Sequence, residues 1–140
     1  MITRLSLPIF MVIGVDLTAL NGSVVNQVLF RPDKSRTGLY RISWEATVLV
    51  PDAVSSTLGG INGFQVTYTD NVTGQRLTTP PPNATNPSAT NTSNVIGAQA
   101  SGSVQIDSAA DSDITFSFDY LSNTPGLMSY ALKVRTEYIG

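Results

Sequence analysis

Residues 39–50 read LYRISWEATVLV, and the side chains alternate in character. Tyr40, Ile42, Trp44, Ala46, Val48 and Val50 are apolar, while Arg41, Ser43, Glu45 and Thr47 between them are polar. Successive side chains of a strand point to opposite faces, whereas a helix gathers residues three and four apart. This stretch therefore predicts an antiparallel strand with one buried and one solvated face. The same period recurs in GFQVTYTD (Phe64, Val66, Tyr68), SGSVQID (Val104, Ile106), ITFSFDY (Ile114, Phe116, Phe118, Tyr120) and SYALKVRTEY (Tyr130, Leu132, Val134, Tyr138). A sustained helical apolar pattern is found nowhere in the chain.

GSVVNQVLFRP adds a strand that ends where Pro32 and Asp33 begin a turn, and the LPIFMVIGVDL region adds another. With turn signals such as Asn21-Gly22, Asn62-Gly63 and Thr124-Pro125-Gly126, the pattern predicts at least seven strands in an all-β, antiparallel, jelly-roll-like β-sandwich. A length of 140 residues suits one domain. We divide it into residues 1–22, an N-terminal arm or first strand packed on the domain or on a neighbour, and residues 23–140, the jelly roll. The exception to the alternation is TTPPPNATNPSATNTSN, residues 78–94, which offers little to bury and reads as a long polar surface loop.

The apolar run Leu5–Val15 has the composition of a signal-peptide core, but Ser6 and Pro8 interrupt it and no small-x-small cleavage site follows cleanly. At about eleven residues it is too short to span a bilayer as a helix, so no membrane span is expected. We read it as a strand or arm. The candidate interaction residues are Leu7, Pro8, Ile9, Phe10 and Met11 in this arm, and Pro80, Pro81, Pro82 and Asn83 in the polar loop.

Composition narrows the chemistry. The chain has no cysteine, which removes disulfides, thiolate nucleophiles and cysteine-based metal sites, and no histidine, the commonest general base and metal ligand. A net charge of −2 with no basic stripe leaves nucleic acid without its phosphate contacts. Arg31, Lys34 and Arg36 form one small basic turn, read as a solvated loop. Asp33, Asp52, Asp70, Asp111 and Asp113 sit beside turn residues, and turn formation accounts for them. Asp107, Asp111 and Asp113 could offer oxygens to a divalent ion but lack EF-hand spacing, and a plain hairpin turn is the simpler reading. Glu45 lies on the face opposite Trp44, where an ion pair with Arg41 or Lys133 across neighbouring strands is expected. We expect no catalytic residue, no cofactor, no metal and no enzymatic activity.

TGLYRISWEATV, then SGSVQIDSAADSDITFSFDY and a last strand YALKVRTEY, resemble the strand order of the trimeric jelly-roll heads of the complement C1q and tumour necrosis factor type. Ala110 and Asp111 stand in the late turn where those heads more often have glycine. The chain also resembles small virion proteins of tailed phages, namely capsid decoration or cement proteins and fibre heads. The resemblance implies a homo-oligomer, with a trimer favoured, whose partners are other virion or capsid proteins. The expected role is a structural virion protein that stabilises a particle through subunit contacts. The alternative is a receptor- or carbohydrate-binding head of a fibre or adhesin, extracellular or on a cell surface. Its candidate surface is the loop region, with exposed Tyr138, Asn and Asp side chains suited to sugar hydroxyls. A charged fraction of only 13%, about half the usual share, suits a surface partly covered by other chains.

Overall fold

The computed structural model describes residues 12–51, 57–58, 63–81, 95–121 and 128–140. Among them are ten strands: β1 (Val12–Leu20), β2 (Val24–Phe30), β3 (Gly38–Val50), β4 (Thr57–Leu58), β5 (Phe64–Thr69), β6 (Arg76–Thr79), β7 (Gln99–Ser108), β8 (Ile114–Phe118), β9 (Tyr120–Leu121) and β10 (Ser129–Tyr138). A 3-10 turn at Lys34–Arg36 precedes β3, and Asp33 caps it by accepting from the Ser35 amide. No helix among the described residues is long and apolar enough to cross a membrane.

Two four-stranded antiparallel sheets face each other. Sheet A runs β1-β10-β3-β7, sheet B runs β2-β8-β5-β6, and β4 pairs with β9 separately. Consecutive strands fall in opposite sheets at the start of the chain, and the last long strand returns between the first and third. That interleaving is the topology of a jelly roll, the architecture that the strand spacing and turn signals favour. Residues 12–20 are a strand of sheet A, paired with β10, and residues 1–11 lie outside the described residues.

The core is an aromatic layer between the sheets. Tyr40, Ile42, Trp44, Ala46 and Val48 of β3 are buried, with Tyr130, Leu132 and Val134 of β10 beside them. Phe64 and Val66 of β5 and Ile114, Phe116 and Phe118 of β8 close the layer from sheet B. Trp44 stacks on Phe64 at 5.4 Å and meets Phe118 at 5.3 Å, so one side chain ties sheet A to two strands of sheet B. Each such ring pair adds about 0.5–1.5 kcal/mol beyond its area burial.

Alternation fails where pairing is irregular, at Thr18–Ala19 of β1, at Val50 and in β2. Val50, expected on the buried face, is exposed, because the β3–β10 register shifts between Ser129 and Tyr130. In β2 the register shifts twice and Asn26 takes φ 48°, which leaves Val25 and Val28 facing outward. A bulge adds a residue to one strand and turns the following side chains to the other face.

Candidate functional site

Of the candidate interaction residues, Leu7, Pro8, Ile9, Phe10, Met11, Pro82 and Asn83 lie outside the described residues. Pro80 and Pro81 follow β6 directly. Pro80 is joined to Thr79 by a cis peptide bond, and its carbonyl accepts from Gln65 Nε2 at 2.9 Å. The start of the polar loop is thus held against β5, with Pro81 exposed.

The structure does not assemble the aspartates of the β7–β8 turn into an ion site. Asp107 lies at the end of β7, where its carbonyl accepts from the Asn71 amide at 3.0 Å. Asp111 adopts φ 59° at the turn itself. Asp113 faces Arg31 at 3.9 Å, and Arg31 also donates to the Asp111 carbonyl at 2.9 Å. Arg31 thus touches this turn while its side chain stays 62% exposed to solvent. No cluster of three or more His, Cys, Asp or Glu placed to hold a metal occurs among the described residues.

Other carboxylates serve turns as the sequence suggests. Asp70 accepts from Thr73 through both its amide and its hydroxyl at 2.8 Å, and from the Val72 amide at 3.2 Å. Those bonds, the Thr73 amide first, hold its carboxyl below the usual carboxylate range. Hydrogen bonds from Ser35 do the same for Asp33, through the hydroxyl first and then the amide.

The outer face of sheet A differs from expectation in its pairings. Arg41 pairs with Glu137 at 2.7 Å, directly across β3–β10, and not with Glu45. Glu45 stands opposite Lys133 but accepts from Gln99 Nε2 at 3.1 Å, and Lys133 has no ion-pair partner among the described residues. Arg135 binds Asp16 at 2.7 Å, and that bond lowers the Asp16 pKa and raises that of Arg135. Because Ser43, Ser101 and Ser103 are short, they leave a shallow depression of about 470 Å³ bordered by Glu45, Lys133 and Arg135.

Tyr138 is half-buried. Its ring lies 5.0 Å from Tyr40 and its hydroxyl donates to the Thr37 carbonyl at 2.9 Å. It therefore offers no open ring to a sugar, and no other aromatic side chain among the described residues is exposed.

One surface that alternation did not reveal lies at the end of sheet A. The turn at 95–98 is fastened alongside β3, with Gly97 N donating to Val48 O and Val48 N to Ala98 O, both at 2.9 Å. This puts Leu49 and Val50 at the same end as Val95 and Ile96, with exposures of 38, 53, 60 and 71%. Sequence inspection missed the cluster because Val95 and Ile96 adjoin a polar tract and become neighbours of β3 only through this turn.

No protein-family model matches the chain, and no curated protein matches it in sequence. In structure it is similar to a chain from Bacillus endospore appendages, described as a novel family of disulfide-linked pili, with a TM-score of 0.34 and 16% identity over 93% of this chain and 86% of that one. A likeness at that score carries no argument about what this chain does.

Proposed function

We propose that this chain is a non-catalytic structural subunit that stabilises an assembled particle through contacts with copies of itself and neighbouring proteins. The resemblance to decoration and fibre-head proteins points to a virion as that particle, and the resemblance to trimeric heads points to a three-fold arrangement. The observation that carries the reading is the apolar end of sheet A, where Leu49, Val50, Val95 and Ile96 are exposed together. Contiguous exposed apolar side chains mark surfaces that associate. A chain with 13% charged residues has little else to keep such a surface apart from its neighbours. The absence of His and Cys from the sequence agrees with a role that needs no nucleophile or general base.

Sedimentation equilibrium at micromolar concentration in neutral buffer tests this. An oligomer is expected, shifting toward smaller species in Leu49→Ser with Ile96→Ser while the β circular dichroism signal persists. A monomer at every concentration, with no stable complex on adding candidate particles, overturns the reading.

A second reading, a receptor- or glycan-binding head, is favoured by one observation, the depression bordered by Glu45, Lys133 and Arg135. A glycan array with no signal above background would remove its carbohydrate form.

A further inference from the structure

Each sheet of a sandwich has two edges, and an unguarded edge is a template for another strand. Proteins blunt edges with bulges, charges, proline or short length. Three of the four edges here carry such devices. In β1 the register shifts between Leu17 and Leu20, Ala19 adopts φ 54°, and Asp16 adds a charge. In β2 there are two register shifts and Asn26 takes φ 48°. β6 has four residues, begins with Arg76 and runs into Pro80. The fourth edge, β7, is guarded only at its end, where Asp107 adds a charge and Thr69–Asn71 lie along Asp107–Ala109. Its pairing with β3 is unbroken from Gly38↔Ser108 to Thr47↔Gln99, and Gln99 to Ile106 contains no charge and no proline.

The backbone of β7 shows which groups are free. Leu39 turns its own amide and carbonyl toward the β10 side, since Leu39 N donates to Gly140 O at 3.4 Å and Ile139 N donates to Leu39 O at 2.8 Å. Asp107, its partner in the register, must then point away from β3, and its carbonyl does so, accepting from Asn71. Direction alternates along a strand. Gln105, Ser103, Ser101 and Gln99 therefore also direct their amides and carbonyls off the edge, and these have no partner among the described residues.

We propose that β7 pairs antiparallel with β7 of a second copy of this chain, about a two-fold axis at Gly102, joining two A sheets into one. This rests on the assembly reading above but not on its three-fold arrangement, in place of which it sets a two-fold contact. In this register Ser101 meets Ser103 of the second copy and Gln99 meets its Gln105. Every outward amide and carbonyl of these four residues then finds a mate. The residues facing one another are uncharged, so nothing across the seam repels. Gly102 sits opposite itself as a non-hydrogen-bonded pair, the closest approach in an antiparallel ladder, where it has no side chain to obstruct it. Glycine is required there from inside as well, since a Cβ on Gly102 would lie 2.9 Å from Trp44 Nε1. Gly102 and Val104, half-exposed on the inner face, become covered.

The same axis organises the apolar side chains at both ends of the seam. The new ladder ends at Gln99 opposite Gln105, because Asn71 N already holds the outward carbonyl of Asp107. Val95 and Ile96 of one copy then fall beside the Asn71–Thr73 turn of the other, which is hydrogen-bonded to its Asp107. This turn displays Val72 at 82% exposure. Backbone pairing fixes the orientation, and these flanking contacts add buried area, which a strand edge alone supplies sparingly.

The full chain tests the contact by sedimentation equilibrium together with amide hydrogen exchange. The wild type is expected to form an even-numbered oligomer in which the amides of Ser101, Ser103 and Gln105 are protected. Ser101→Lys with Ser103→Lys sets lysine against lysine twice across the axis, and is expected to weaken association by on the order of tenfold and to free those amides. Ser101→Lys with Ser103→Glu sets opposite charges against each other and is expected to retain the oligomer. These side chains face solvent, so both variants keep the fold. An oligomer indifferent to both variants, an odd-numbered oligomer, or freely exchanging amides at these positions in the wild-type oligomer overturns the β7 contact while leaving the assembly reading standing. A wild-type monomer overturns both.

Discussion

β3 and β7 lie side by side in sheet A in unbroken register, and both alternate, but they bury their inner faces unequally. On β3 the five inward residues from Tyr40 to Val48 are all buried, because β10 and β7 flank it and sheet B covers it. On β7, Ala100 and Ile106 are buried, but Gly102 and Val104 between them remain half-exposed. Alternation decides which way a side chain points, whereas position in the sheet decides how much covers it. Stability accordingly concentrates at β3, and capacity for new contacts at β7.

Truncating each inner face separates the two. Trp44→Ala removes a ring packed against Phe64 and Phe118 and should cost about 3–5 kcal/mol. Val104→Ala, in a half-covered position, should cost about 1 kcal/mol in the monomeric state. Urea denaturation at neutral pH measures both. Equal losses would mean that β7 is as deeply embedded as β3 and would remove the physical basis for distinguishing them.

The contrast between these strands was half legible in the sequence. The alternation of β3, β5, β8 and β10 identified the buried faces, since apolar periodicity and inward direction have one cause. Sheet order was not legible. Nothing in SGSVQID tells whether the strand is central or at an edge, and the bulges of β2 are invisible because Asn26 carries no obligatory turn signal. Cross-strand partners failed similarly. Arg41 and Glu45 share β3, about 13 Å apart along it, and register places Glu137, ninety-six positions away, opposite Arg41. The exposed cluster at Leu49, Val50, Val95 and Ile96 depends on the two backbone bonds between Val48 and the turn at 95–98.

A smaller effect comes from tyrosines of the β3–β10 half of the core. Tyr130 donates to the Gly22 carbonyl at 2.7 Å, and Tyr40 donates to the Arg36 carbonyl. Burial pushes both hydroxyls above their ordinary value, Tyr40 to about 12 with Tyr138 adding to the rise, and Tyr130 upward with Tyr120 and Asp119 contributing. A folded-state pKa above the unfolded value means that the folded protein holds these protons more tightly. Their contribution to stability is complete below about pH 10 and is lost as pH rises toward about 12. Urea midpoints should therefore fall steeply across that window. Tyr130→Phe should lose about 1 kcal/mol at pH 7 and show a shallower alkaline decline. An unchanged alkaline slope in the variant would show that Tyr130 does not couple folding to deprotonation.

The smallest effect is expected on the outward side of β3. Arg41 and Glu137 approach to 2.7 Å, but their side chains are 46 and 34% exposed, so water and salt screen the pair. Holding two long side chains in place also opposes the Coulomb gain. Arg41→Ala, Glu137→Ala and the double variant should yield a coupling energy below about 1 kcal/mol, decreasing as salt rises. A coupling of several kcal/mol, insensitive to salt, would place the pair in a dry environment. The outer face of sheet A would then have to be covered by another chain under the conditions of measurement, and the contrast between a buried inner face and an open outer one would hold only for the isolated subunit.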